Sequence, residues 1–340
     1  MARKPLSRRL VLAFAGLALA APAFALPAQQ DPGYIYYEIG DTVAATPGRT
    51  SGALMLVGGG DWDYGAFRWF TERAGHGHIV VLRASGDGAG GEEIYRQVGG
   101  ALSVQTLLFS DRRAASDPKV LAILAHADGI FLAGGDQSNY VRYWKDTPVA
   151  RAIDAHIRKG KPVGGTSAGL AILGGTGYGA LDGGSIDSPT ALAAPFGPAV
   201  TLVSGFLHMP RLTHVVTDTH FSVRDRLGRL IAFVTKARNS DPRAIGLGVD
   251  EGSALCVEAD GTARLHNSNG GFAWLVQPLG KARIAPGGAL QSAQIRITGI
   301  GTASVLDLNS LHVRAPSFFG TAEVRDGKLL NVPKPGKPAK

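Results

Sequence analysis

The sequence predicts an α/β protein: a mostly parallel sheet with helices on both faces, followed by a β-rich C-terminal extension. Two observations lead there. Between about residues 51 and 249, short apolar runs alternate with segments of helical periodicity, and several runs end in glycines. That rhythm suits parallel strands whose two faces are covered by helices. After Glu251 the helical periodicity stops, and short strand-like runs are separated by Gly, Asn or Asp.

Residues 53–57 read as a strand ending in Gly58-Gly59-Gly60. Residues 64–73 read as a helix that turns Phe67 and Phe70, three apart, toward the core. A strand over 78–83, a helical segment over 92–99 and a strand over 103–109 follow. Residues 117–127 carry Val120, Ile123 and Leu124 on one helical face, and the strand 129–133 runs into Gly134-Gly135. Lys161-Pro162-Val163-Gly164 suits a short buried strand, and Leu170-Ala171-Ile172-Leu173 is helix-compatible. Strands over 215–217 and 245–249 flank a helix over 223–235. Further strands are expected over 254–258, 263–266, 273–276, 294–297 and 303–308. Whether these join the main sheet's edge or form a separate unit stays open.

The expected organisation is an α/β domain over 51–260, a β-rich extension over 261–331 and a disordered tail over 332–340. Residues 1–25 read as an export signal: Arg3, Lys4, Arg8 and Arg9 precede an apolar run that ends in Ala23-Phe24-Ala25. That run is too short for a transmembrane span. Ser7-Arg8-Arg9-Leu10 faintly resembles a twin-arginine signal. The mature protein is therefore expected in the periplasm or outside the cell, with no membrane association. Residues 26–50, with Pro27, Pro32 and Pro47, read as an irregular leader.

The formal charge of +8 falls to +4 when 1–25, with four basic and no acidic residues, is removed. No basic cluster interleaved with aromatics marks a nucleic-acid partner. Cys256 is the only cysteine, which excludes an intrachain disulfide; its apolar run gives it the role of a small buried hydrophobe.

Gly165-Thr166-Ser167-Ala168-Gly169 is a G-x-S-x-G sequence between a strand and a helix. A tight turn there projects the serine hydroxyl from the top of a sheet, and the glycines permit the bend. The same letters also fit a glycine-rich turn whose serine merely caps a helix. Chemistry in α/β sheets gathers at the carboxyl ends of strands. A serine nucleophile needs a base within hydrogen-bond reach, held by a carboxylate. His220 follows the strand 215–217 and is the first candidate, with His208 and His214 behind it. Glu251, after the strand 245–249, is the preferred carboxylate, Asp250 its alternative, while Asp218 is better placed to touch substrate. The order Ser, His, Glu and the missing HGGG loop argue against an ordinary esterase. The backbone N–H groups of Ala168 and Gly135 are candidate oxyanion donors, and Gln137 is a candidate substrate contact. Arg224, Arg226 and Arg229 suit carboxylate recognition, though such a run also fits a solvated helix face.

Gly164 to Gly169, Gly134-Gly135-Asp136-Gln137, Asp218-Thr219-His220-Phe221-Ser222 with the three arginines, and Gly246-x-Gly248-Val249-Asp250-Glu251 together resemble cyanophycinase. That family comprises serine peptidases related to aspartyl dipeptidases, and the resemblance spans roughly residues 52–260. It implies a class I glutamine-amidotransferase-like fold, with Ser167 as nucleophile, His220 as base, Glu251 as orienting acid and the arginines in the substrate pocket. It implies no cofactor and no metal. The implied substrate is a β-linked aspartyl-arginine polymer, cut to dipeptides. Thr219 departs from the family, which usually has glutamine there. An aspartyl dipeptidase, a broader periplasmic peptidase, or a non-catalytic protein that binds acidic peptides are the other readings. A homodimer is compatible with the sequence.

Overall fold

The computed structural model describes residues 32–334. The expected export signal, and residues 335–340 of the expected tail, lie outside the described residues. In chain order the first half gives β1 (Tyr34–Gly40), β2 (Leu54–Val57), α1 (Tyr64–Arg73), β3 (His78–Arg83), α2 (Ala89–Glu93) and β4 (Ser103–Phe109). Next come α3 (Pro118–His126), β5 (Gly129–Leu132), α4 (Gln137–Trp144), α5 (Pro148–Arg158), β6 (Val163–Thr166) and α6 (Ala168–Ala171). Then follow β7 (Thr176–Tyr178), α7 (Ser188–Ala193), β8 (Leu202–Ser204), β9 (Val215–Asp218), α8 (Leu227–Ala237) and β10 (Ile245–Val249). The chain continues as β11 (Ser253–Val257), β12 (Thr262–Asn267), β13 (Ala273–Pro278), β14 (Arg283–Ile284) and β15 (Leu290–Ile300). It closes with β16 (Val305–Asp307), β17 (His312–Arg314), β18 (Phe318–Arg325) and β19 (Lys328–Leu330).

These strands form two sheets, not the single mostly parallel one expected. The first runs β1-β4-β3-β5-β6-β2-β11-β12-β16-β17; the second runs β19-β18-β15-β13-β10-β9-β7-β8, with β14 on β15. Strands β4, β3, β5, β6 and β2 are parallel, as is β9 to both β10 and β7. The other pairings among the described residues are antiparallel, so both sheets are mixed. The β-rich extension is not a separate unit: β12, β16 and β17 widen the first sheet, and β13 to β15, β18 and β19 widen the second. Residues 26–50 are not wholly irregular either, because β1 lies antiparallel on β4 through seven residue pairs, Tyr34 opposite Phe109 to Gly40 opposite Ser103. Val332, assigned to the tail, packs on the second sheet's apolar layer.

Side chains alternate across each strand, and this divides the core. Leu54 and Leu56 of β2, with Val80 and Leu82 of β3, share one apolar cluster with Leu247 and Val249 of β10 and Leu275 of β13. Met55, Val57, Ile79 and Val81 face the opposite way, onto Phe67 and Phe70 of α1. Fully burying each such side chain contributes roughly 1.5–3 kcal/mol. Helix starts are set locally: Asp63, Asp117, Asp136, Thr147 and Asp187 accept from backbone N–H groups at the heads of α1, α3, α4, α5 and α7. Among the described residues no helix is long and apolar enough to cross a membrane.

The approach to β6 contains a titratable brace. His156 of α5 is buried, and its Nε2 lies 3.1 Å from the Pro162 carbonyl. Burial pushes its pKa down to about 4. Between the unfolded value near 6.5 and about 4, the unfolded chain binds a proton that the folded chain refuses. Stability is therefore full above pH 6.5 and lost as pH falls toward 4, by about 3 kcal/mol. Denaturant titrations at a series of pH values should show that slope, and His156→Gln should flatten it. An unchanged slope in the variant would assign the loss elsewhere.

Candidate active site

β6 delivers Ser167 at its carboxyl end with φ +51°, in a region that non-glycine residues rarely occupy. The turn is tight enough that its glycines are obligatory. A Cβ on Gly165 would lie 2.8 Å from the Gly169 backbone, and one on Gly169 would lie 2.0 Å from the Leu132 carbonyl oxygen. The Ser167 N–H donates to the Val57 carbonyl at 3.2 Å, which locks the turn to β2.

His220 arrives from the second sheet, just past β9, and Glu251 just past β10, its parallel neighbour. The three groups therefore meet across two sheets and not on one shared rim. Ser167 Oγ lies 2.7 Å from His220 Nε2, and His220 Nδ1 is hydrogen-bonded to Glu251 Oε1. His220 N–H donates to the Gly58 carbonyl at 2.7 Å. Burial lowers the His220 pKa, the Glu251 carboxylate opposes that shift, and Arg224 and Arg226 reinforce it. The imidazole is thus neutral near pH 7, as a base must be.

Asp250, the alternative carboxylate, is engaged elsewhere. Its Oδ1 accepts from Ser222 N–H and hydroxyl, and its Oδ2 from Phe272 N–H and Trp274 Nε1. It fixes the turn that follows His220. That turn also corrects the expected helix: α8 starts at Leu227, not 223, because residues 221–225 fold into turns with Asp225 at φ +48°.

A cavity of about 320 Å³ opens at Ser167 and His220. Gly135, Gln137, Arg142, Ser185, Thr219, Arg224 and Arg226 are among its lining residues. Gly134 faces the serine turn, where a Cβ would lie 3.3 Å from Ser167 Cβ, and Gly135, at φ +140°, packs so that a Cβ would lie 2.0 Å from Ser85 Oγ. Among the described residues no acceptor meets its N–H. Ala168, as the first residue of α6, has no intrahelical acceptor for its own. The Gln137 amide nitrogen donates to the Tyr178 carbonyl at 2.8 Å, leaving the amide oxygen free for the cavity.

Two expected substrate contacts fall outside. Asp218 and Arg229 are 1% and 2% exposed and face each other: Arg229 Nε and Nη2 donate to the two Asp218 oxygens at 2.8 and 2.5 Å. A bidentate pair this buried holds β9 to α8 and cannot reach substrate. Arg226 lies only 3.6 Å from Asp218 and instead donates through Nη1 to the Thr219 carbonyl and hydroxyl, at 2.9 and 3.0 Å. Burial lowers its pKa to about 10, so it stays charged at neutral pH. Arg224 is exposed at the cavity wall. The sequence singles out the strand-end loop Gly58-Gly59-Gly60-Asp61 without a role for Gly59, and it gives no sign of Asp250's bracing role or of Arg142. Only Gly59 had a signal, its place in a triple glycine at a strand end.

An α/β fold that aligns a hydroxyl, an imidazole and a carboxylate beside a pocket is the fold of a serine-type hydrolase. Residues 91–265 match the model of peptidase family S51. A cyanophycinase from Trichormus variabilis is 30% identical over 284 residues, 80% of this chain and 86% of that protein. The chain belongs to peptidase family S51 and is a serine-type peptidase. Cyanophycinases from Synechococcus elongatus and Thermosynechococcus vestitus are each 35% identical over 174 residues, 51% of this chain. The match spans about half the length of those two relatives, 49% of each. Among solved structures, a peptidase from an acI-B1 Actinobacterium aligns at TM-score 0.47 and 16% identity, over 84% of this chain and 98% of that one.

Proposed function

We propose that this protein is an exported peptidase that hydrolyses cyanophycin or related β-aspartyl peptides through Ser167, His220 and Glu251, on a class I glutamine-amidotransferase-like framework. The observation that carries the reading is the continuous row from Ser167 Oγ through His220 to Glu251 beside an arginine-lined cavity. Family membership and relatives named cyanophycinase support the substrate class. The basic head and apolar run of residues 1–25 support export.

Ser167 Oγ–H donates to the neutral Nε2 of His220, so attack on the substrate carbonyl passes the proton to the ring. Glu251 accepts from Nδ1–H, fixes the tautomer and stabilises the imidazolium as it forms. The Ala168 and Gly135 N–H groups bind the carbonyl oxygen as it gains negative charge. His220 then protonates the leaving amine, and water repeats the cycle on the acyl-enzyme. Arg226 receives a substrate carboxylate at fixed distance from Ser167, with Arg224 at the wall and Gln137 accepting from a substrate N–H.

Purified cyanophycin incubated with the protein should release β-aspartyl-arginine, read by mass spectrometry, and a fluorophosphonate should label Ser167. Release of free amino acids, or of nothing, would remove the substrate assignment; absent labelling would remove the nucleophile. The cavity's size also favours a second reading, a dipeptidase, because 320 Å³ lies at the small end of ligand sites. Cleavage of aspartyl dipeptides but not of polymer would select it.

The pH profile follows from the same groups. Activity should rise as His220 loses its proton, with a half-point below the ordinary histidine value of about 6.5. An acid limb centred above pH 7 would contradict the buried, neutral imidazole.

A further inference from the structure

We propose that Arg142 is a specificity-determining residue that receives a second substrate carboxylate, beyond the one held at Arg226; this rests on the peptidase reading above. Arg142 lies on the exposed side of α4, near its end. Helical side chains lean toward the helix N-terminus, and here Nη1 donates back to Ser138 Oγ at 2.9 Å. Ser138 is itself buried at 3% exposure, and its N–H is capped by Asp136 at 2.8 Å. The guanidinium is therefore anchored against the cavity wall that Ser138 and Arg142 both line. Arg112 donates to the Arg142 carbonyl at 2.6 Å, steadying the same turn.

Charge gives this anchoring a direction. Three guanidiniums line the cavity, from Arg142, Arg224 and Arg226, against one carboxylate, Asp136. Asp136 already spends an oxygen on the α4 cap. Among the described residues neither Arg142 nor Arg224 has a carboxylate partner, whereas Arg73 and Arg229 each have one. Arg226 is 8% exposed and sits inside, while Arg142 and Arg224 are exposed at the mouth. A cavity of about 320 Å³ has room for one short unit. The next acidic group of a longer chain then meets the mouth, where Arg142 is held ready for it.

Ser167→Ala protein keeps substrate intact, so equilibrium binding tests the idea without turnover. The ligands are one β-aspartyl-arginine unit and a peptide of two such units joined through the aspartyl backbone, both amidated at the terminal aspartyl α-carboxyl so that they carry one and two carboxylates, compared by calorimetry. The two-unit peptide should bind about fivefold more tightly than the single unit, the worth of one exposed guanidinium–carboxylate pair. That gain should shrink to less than about twofold in the double variant with Arg142→Gln, and with added salt in the parent. Arg142→Lys should keep part of it. An equal gain with and without Arg142, or no gain in the parent, overturns the proposal. Fluorophosphonate labelling of the wild-type serine reports separately on the peptidase reading, so the two can fail independently.

Discussion

Ser167→Ala is expected to lower peptide hydrolysis by about 10⁴- to 10⁶-fold if Ser167 is the nucleophile as proposed, since its removal leaves only what binding and the oxyanion donors supply. The same variant should melt within about 2 °C of wild type. Ser167 sits at φ +51°, and alanine bears the same steric cost there as serine. The lost hydroxyl takes with it one hydrogen bond, to His220, in a partly exposed cavity. Ser167→Gly should be as inactive yet more stable, by about 1 kcal/mol, because glycine relieves the strained turn. Steady-state kinetics on an acidic peptide with thermal melts of all three proteins decide this. Hydrolysis retained at a tenth of the wild-type rate would show that another group attacks the carbonyl.

That the serine turn was legible while its setting was not has a physical basis. Gly165 and Gly169 are demanded by backbone atoms a few residues away or on the adjoining strand, so the constraint is written into five consecutive letters. His220 and Glu251 were reachable because both follow apolar runs that end as strands, and parallel neighbours bring such ends together. Pairing between distant runs leaves no comparable mark. Leu54 to Val57 takes β6 on one side, parallel, and β11 on the other, antiparallel, about two hundred residues later. Nothing local in Leu-Met-Leu-Val distinguishes the two edges, and the split into two sheets follows from such choices. β1 was hidden for a different reason: an edge strand with Ile35 and Tyr37 exposed lacks the apolar contrast that marks a buried one.

Charges mislead in a related way. Arg224, Arg226 and Arg229 read alike as letters, yet the fold separates them by depth. Asp218 lies eleven residues before Arg229 and closes on it only because β9 and α8 pack together. One arginine becomes a buried brace, one a charge held at the cavity by Thr219, and one an exposed side chain at its wall. Arg142, on another helix, joins the latter two without any sequence signal.

Gly59→Ala is expected to lower activity by about 10³-fold, though residue 59 carries no reactive group. Gly59 lies across the face of the imidazole: a Cβ there would sit 2.3 Å from His220 Cε1, 2.6 Å from Nε2 and 2.8 Å from Nδ1. The ring cannot slide aside cheaply, because Ser167 holds one nitrogen and Glu251 the other. Displacing it by about 1 Å breaks both bonds and costs on the order of 10²-fold or more in rate. Gly59 is also at φ +101°, where an alanine adds roughly 1–3 kcal/mol of strain to the folded state. The variant should therefore lose both activity, by about 10³-fold, and several degrees of melting temperature. Ser167→Ala loses only the first, so the pair separates the chemistry from the scaffold that positions it. Fluorophosphonate labelling should slow in Gly59→Ala in step with hydrolysis, because the hydroxyl no longer meets its base. Labelling at the wild-type rate would mean that the ring finds an equally good place, and that the bare backbone at residue 59 serves the fold alone.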